Sequence, residues 1–88
     1  MVYVDDLQPS IKTKNWAYLW HCHLIADKID ELHLFAKMLR LDRSWYQHKT
    51  IPHYDLTKNK RREAIKLGAI QISKKEMVEF IKKQRIVE

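Results

Sequence analysis

A chain of 88 residues with one cysteine has a single route to stability, a small hydrophobic core closed without disulfides and without a cysteine-rich metal cage. Every element must then bury an apolar face against the same centre, and residues 1–88 are expected to form one domain. A core of that size leaves little reserve, so a homo-oligomer that buries further surface is expected.

The apolar pattern divides into alternating short and long periods. Val2-Tyr3-Val4 is a β-branched and aromatic run that stops at Asp5-Asp6, and Leu7-Gln8-Pro9-Ser10 breaks it into a loop. Residues 16–26, from Trp16 to Ala26, read as a second, largely buried strand. Asp27 stands where a helix N-cap belongs, and Ile29, Leu32, Phe35, Ala36 and Leu39 recur at helical spacing, which predicts a helix over 28–41. Leu34, Met38 and Leu41 widen its apolar arc beyond what one sheet face covers. The stretch 42–52 has no clean period and is expected to be a loop or irregular strand. Thr57 can cap a second helix that runs to Leu67, and Gly68, the only glycine, is placed to end it in the left-handed conformation. Residues 69–72 alternate as a third strand. Ser73-Lys74-Lys75-Glu76 is a capping box that opens a third helix carrying Met77, Val78, Phe80 and Ile81. About three short strands interleaved with three helices give the α/β class, with the topology left open.

Charge limits the partners. The formal balance is +6 and the isoelectric point is near 9.6, so the long-range field attracts phosphates, nucleic acid or an anionic surface. Neither a signal peptide nor an apolar run of spanning length is present, and the lone Cys22 suits a reducing compartment. A cytoplasmic protein with no membrane partner is expected.

The run Val2-Tyr3-Val4-Asp5-Asp6, Cys22-His23-Leu24-Ile25-Ala26-Asp27, Glu31-Leu32-His33, His53-Tyr54-Asp55, Lys60-Arg61 and Gly68-Ala69 resembles domain-of-unknown-function family 4031, a set of small bacterial and phage proteins. The likeness extends to about Ile72 and departs at His21, where an apolar residue is usual. It implies no activity. It permits a phage setting, in which a small protein could sequester a nucleotide immune signal of the cyclic-dinucleotide or ADP-ribose kind.

Four chemistries compete for the same residues. His21 and His23 share one strand face, and His53 with Asp55 would do the same in an extended stretch, so imidazole and carboxylate could hold a transition metal; histidines in an aromatic-rich strand also serve as hydrogen-bonded core residues. Asp5, Asp6, Asp27, Glu31 and Asp55 could serve a metal-dependent phosphoesterase or nuclease, although each has a bland capping or strand-ending role. Basic charge with interleaved aromatics fits a nucleic-acid-binding module, without any known groove-reading motif.

The favoured expectation is a small phosphorylated nucleotide held without turnover. In that reading Lys60 and Arg61 at the start of the second helix take phosphate, Trp45 or Tyr54 stacks on the base or closes the pocket, Arg43 adds a cation beside Trp45 and Tyr46, and His23, Asp27, His53 and Asp55 fix polar edges. No catalytic residue, metal or other cofactor is assigned at this level.

Overall fold

The computed structural model describes residues 1–10, 19–48 and 51–86; the expected strand positions 16–18 lie outside them. Among the described residues are three α-helices and a mixed five-stranded sheet, an α/β fold. The strands are β1 (Val2–Val4), β2 (Gln8–Pro9), β3 (Trp20–Ala26), β4 (Tyr54–Leu56) and β5 (Ile70–Gln71). The helices are α1 (Ile29–Met38), α2 (Lys58–Lys66) and α3 (Lys74–Ile86), with a 3-10 turn at Arg43–Trp45.

β3 is the axis. It pairs antiparallel with β4 on one side and with β1 and β2 on the other, while β5 joins β1 in parallel. The count of strands is therefore five where the sequence pattern suggested three. Gln8-Pro9, expected as a loop, pairs with His21 and Trp20, and the stretch after His53 is a strand on the opposite edge. Both are two- or three-residue segments, too short to show a period of their own, and they form because β3 offers each a row of backbone partners. From β1 to β2 the register along β3 slips by one residue: Val4 faces Leu24, but Gln8 faces His21. The extra residue is a bulge-like offset immediately after Asp5, a place where sheets commonly re-aim a side chain.

Alternation along β3 separates two cores. Cys22 and Leu24, with Val2, Val4, Tyr54 and Leu56, face α1 and α2, where Leu32, Ala36, Leu39 and Ala64 close over them. Ile25 points the other way and meets Ile51 and Met77, with Tyr3, Ile72, Phe80 and Ile81 around them, so α3 covers only one end of that second face. Truncating a fully buried leucine such as Leu24 or Leu56 costs about 2–5 kcal/mol, a large part of the stability of a domain this small. Leu34 and Met38 on the outer side of α1 stay exposed, at 63% and 54%.

Helix ends follow the expected chemistry at three of four places. The Thr57 hydroxyl accepts from the Lys60 amide, and Ser73 with Glu76 forms the reciprocal box, each backbone N–H donating to the other side chain at 3.0 and 3.1 Å. Gly68 ends α2 at φ 107°, with its own amide bonded to the Ile65 carbonyl and that of Ala69 to Ala64. Asp27 does not cap α1. Lys28 holds the N-cap position, and the Asp27 carboxylate instead accepts from the Met1 amino group and the Tyr3 hydroxyl.

α1 ends in the same hydrogen-bond pattern as α2, with Arg40 donating to Lys37 and Leu41 to Ala36, but its left-handed position is occupied by Arg40 at φ 60°. A side chain there carries a cost of roughly 1–2 kcal/mol that glycine avoids. Arg40→Gly is therefore expected to stabilise the fold by about 0.5–1 kcal/mol once the greater freedom of the unfolded glycine is subtracted, and Gly68→Ala to destabilise it by about 1 kcal/mol. Urea denaturation of the two variants checks both signs.

Candidate functional site

The part of the second sheet face that α3 leaves open is polar, and its residues come from three strands. His21 and His23 project there from β3, Asp55 from β4, His53 from the bridge with Gln47 just before it, and Asp5 from the end of β1. Ring centroids of His21 and His23, and of His23 and His53, are each 5.3 Å apart.

Asp5 organises this patch. It is 1% exposed, the one buried charged residue among the described positions. Its Oδ1 accepts the backbone N–H of His23 at 2.6 Å and its Oδ2 accepts from His23 Nδ1 at 2.8 Å, with the Gln8 side-chain amide donating at 3.2 Å. A carboxylate only accepts, so the hydrogen of the His23 ring sits on Nδ1 and its Nε2 is turned toward Asp55 Oδ1, 3.9 Å away. His53 repeats the arrangement with a different partner: its Nδ1 donates to the Ile51 carbonyl at 2.9 Å, leaving Nε2 3.7 Å from the same Asp55 oxygen. Asp55 is held in turn by Gln47, whose amide donates to Oδ2 at 2.6 Å.

His23, His53 and Asp55 thus present one ligand atom each, all within 4.8 Å of one another. Each is oriented by a hydrogen bond from its far side. Whenever both imidazoles lack a proton on Nε2, their lone pairs and the carboxylate oxygen repel, and separations of 3.7 and 3.9 Å are too long for a hydrogen bond to relieve that. Three ligands of a tetrahedral zinc ion with bonds of about 2.0–2.1 Å lie about 3.3 Å apart, so a modest inward movement closes the set around a cation.

Without a cation, a proton is the next remedy. The hydrogen bond to Asp5 holds the His23 pKa above its ordinary 6.5 against the opposing effect of burial, with the charges of Asp5 and Asp55 adding to the increase. A histidine raised in the folded state adds stability that is complete below about pH 6.5 and is lost as pH climbs through the folded value.

A cleft of about 280 Å³ adjoins the ligands. Its lining combines the polar His23, Gln47 and His53 with the apolar Ile25, Ile51, Met77 and Ile81.

Of the nine residues singled out from sequence, the structure brings together His23, His53 and Asp55. Arg61 lies one step away: its Nε donates to the Asp5 carbonyl at 2.9 Å and Nη2 reaches Gln71 at 3.5 Å. Lys60 is committed elsewhere, donating to the Leu39 carbonyl at 2.7 Å and pairing with Glu63 at 3.2 Å. It lines a separate cleft of about 460 Å³ with Met38, Arg40, Lys66 and Leu67. Tyr54 belongs to the core, since its neighbour Asp55 takes the open face; its hydroxyl meets His33 Nδ1 at 2.9 Å. His33, pushed below its ordinary value by burial, is thereby placed on the helix side and not in the site. Arg43 lies 4.9 Å over the Tyr46 ring, Trp45 is 54% exposed in the 3-10 turn, and Asp27 clamps the N-terminus. Cys22 is no nucleophile, because burial pushes its thiol up to about 12.

Sequence reasoning missed Gln47 and the orienting role of Asp5. Only the pairing of β1 and β4 with β3 reveals them, since Asp5 and His23 are 18 residues apart and Gln47 and Asp55 are eight.

Replacing Asp5 by asparagine is expected to bring the His23 titration midpoint down and to flatten the stability loss that sets in as pH rises above about 6.5. Two-dimensional NMR of the imidazole resonances, with thermal melts at each pH in the presence of a chelator, reads both.

The family model described as a protein of unknown function (DUF4031) matches residues 2–84, and the chain belongs to that family. No curated protein and no solved structure matches it. Among the described residues no helix is long and apolar enough to cross a membrane.

Proposed function

For a member of a family whose description names no activity, we propose that the chain is a metal-dependent phosphoesterase for small anionic esters, with a divalent transition ion, zinc or manganese, on His23, His53 and Asp55. The observation that supports this reading is the convergence of three lone-pair donors, each locked from behind by Asp5, the Ile51 carbonyl or Gln47. Such outer hydrogen bonds set tautomer and ring orientation in metal sites, and a purely structural histidine pair has no need of all three. Three protein ligands suit a catalytic ion rather than a structural one, which would be closed by a fourth. The fourth position would face the adjoining cleft.

The chemistry follows from that open position. An ion held by His23, His53 and Asp55 would supply an activated water and a positive charge for a phosphoryl oxygen. Hydrolysis there would break the ester P–O bond, with the electron pair leaving on the alcohol oxygen and that oxygen taking a proton from water. A formal charge of +6 draws anionic esters toward the protein before any contact forms.

The expectation of a nucleotide held by Lys60 and Arg61 is harder to carry over, because both cations already bond to carbonyl oxygens and Thr57 has capped the α2 entrance. Retention without turnover stays a distinct outcome of the test.

Chelator-treated protein should take up one zinc or manganese ion per chain by elemental analysis and then hydrolyse p-nitrophenyl phosphate. Asp55→Asn and His53→Ala should abolish both, and Asp5→Asn should weaken the ion by about 10–100-fold. Failure to bind an ion ends the proposal. Stoichiometric ion binding with esters recovered intact would leave a metal-dependent binder and no enzyme.

A further inference from the structure

We propose that the cleft beside the histidines takes the organic half of the ester, and that this half is a flat, uncharged ring system of nucleobase size; the substrate class is then a mononucleotide rather than a sugar phosphate or a polynucleotide. The inference rests on the metal reading, which supplies the place for the phosphate.

The lining decides the matter. Among the described residues that line the cleft none is a lysine, arginine, aspartate or glutamate. A phosphate among them would meet no lysine or arginine, whereas at the rim it would meet the ion. The phosphate therefore belongs on the His23 and His53 side, and what fills the cleft is the uncharged remainder.

Ile25, Ile51, Met77 and Ile81 supply the apolar wall of the lining, brought together by packing of α3 on the sheet. A glycerol or hexose moiety pressed against them would strand its hydroxyls without partners, at a few kcal/mol each. A ring offers that wall an apolar face. Met77 is suited to receive it, since an unbranched thioether adapts to a planar surface and gains from contact with it. The polar side is narrow: the two imidazoles belong to the ion, and the Gln47 amide, fixed by its donation to Asp55, supplies one edge able to hydrogen-bond a base.

Size narrows the class further. Clefts that enclose drug-sized ligands span roughly 300–1,000 Å³. At about 280 Å³ this one lies at the small end of that range, a size suited to a single base. The larger cleft near Lys60 does not compete for this role, because it is lined by Arg40, Lys60, Lys66 and Glu63 and by none of the three ligands.

The test separates the cleft from the ion. Adenosine, uridine, AMP, UMP and glycerol 2-phosphate are titrated into chelator-treated and zinc-loaded protein, following isoleucine and methionine methyl resonances. At least one nucleoside is expected to bind both forms and to shift Ile51, Met77 and Ile81. Its monophosphate should bind at least 10-fold more tightly when zinc is present and at least 10-fold more tightly than glycerol 2-phosphate. Ile81→Gln should weaken the nucleoside at least 10-fold while the zinc stoichiometry stays at one, with a thermal melt confirming that the variant is folded. The wild-type titrations decide the question if it is not. Should neither nucleoside move a cleft methyl in either form while zinc binds, or should glycerol 2-phosphate match the nucleotides, the inference is overturned and the metal centre stands. Should zinc fail to bind, the metal reading falls, and a nucleoside that still shifts the methyls of the chelated protein supports the cleft by itself.

Discussion

The buried Asp5 carboxylate is the constraint around which the open face of the sheet is arranged. Taking a carboxylate out of water costs several kcal/mol unless its oxygens are filled, and here both are filled by His23, once through the backbone and once through the ring, with Gln8 adding a third donor. The contact ties β1 to β3 at the point where their register slips, so one interaction sets strand alignment and imidazole orientation together. Removing the acid would free the ring and also leave a backbone N–H unpaired inside the sheet. This is why the polar face and the fold cannot be varied independently at that position.

Much of the fold was written in periods that need only local sequence. The strand from Trp20, the three helices, the Thr57 cap, the Ser73–Glu76 box and the Gly68 terminator all reappear, because each depends on residues within a few positions of one another. What local reasoning could not supply was pairing. Gln8-Pro9 and Tyr54–Leu56 are strands only because β3 lies beside them, and Asp27 is drawn from a capping role by the Met1 amino group 26 residues away. The same limit governs the candidate site. His23, His53 and Asp55 were each visible as ligand types, yet Lys60 and Arg61 looked equally eligible until their cations met the Leu39 and Asp5 carbonyls. At that entrance Thr57 takes the Lys60 amide and each cation bonds to a carbonyl, so an anion there would compete with contacts the fold already makes.

The two faces of the sheet divide the labour of this small chain. The face under α1 and α2 holds most of the core, including the fully buried Cys22, Leu24, Leu56 and Tyr54. The second face is shared. α3 covers Ile25 and its neighbours, and the histidines and Asp55 begin where that cover stops. Apolar wall and polar cluster therefore meet along one line, with a cleft at their boundary. An apolar wall that kept water away would strengthen the electrostatic contacts of a cation held by His23, His53 and Asp55. A third helix that extended over the whole face would bury the histidines, while one displaced from it would expose the isoleucines. The length of sheet that α3 leaves bare is thus the quantity that turns a stabilising layer into a site.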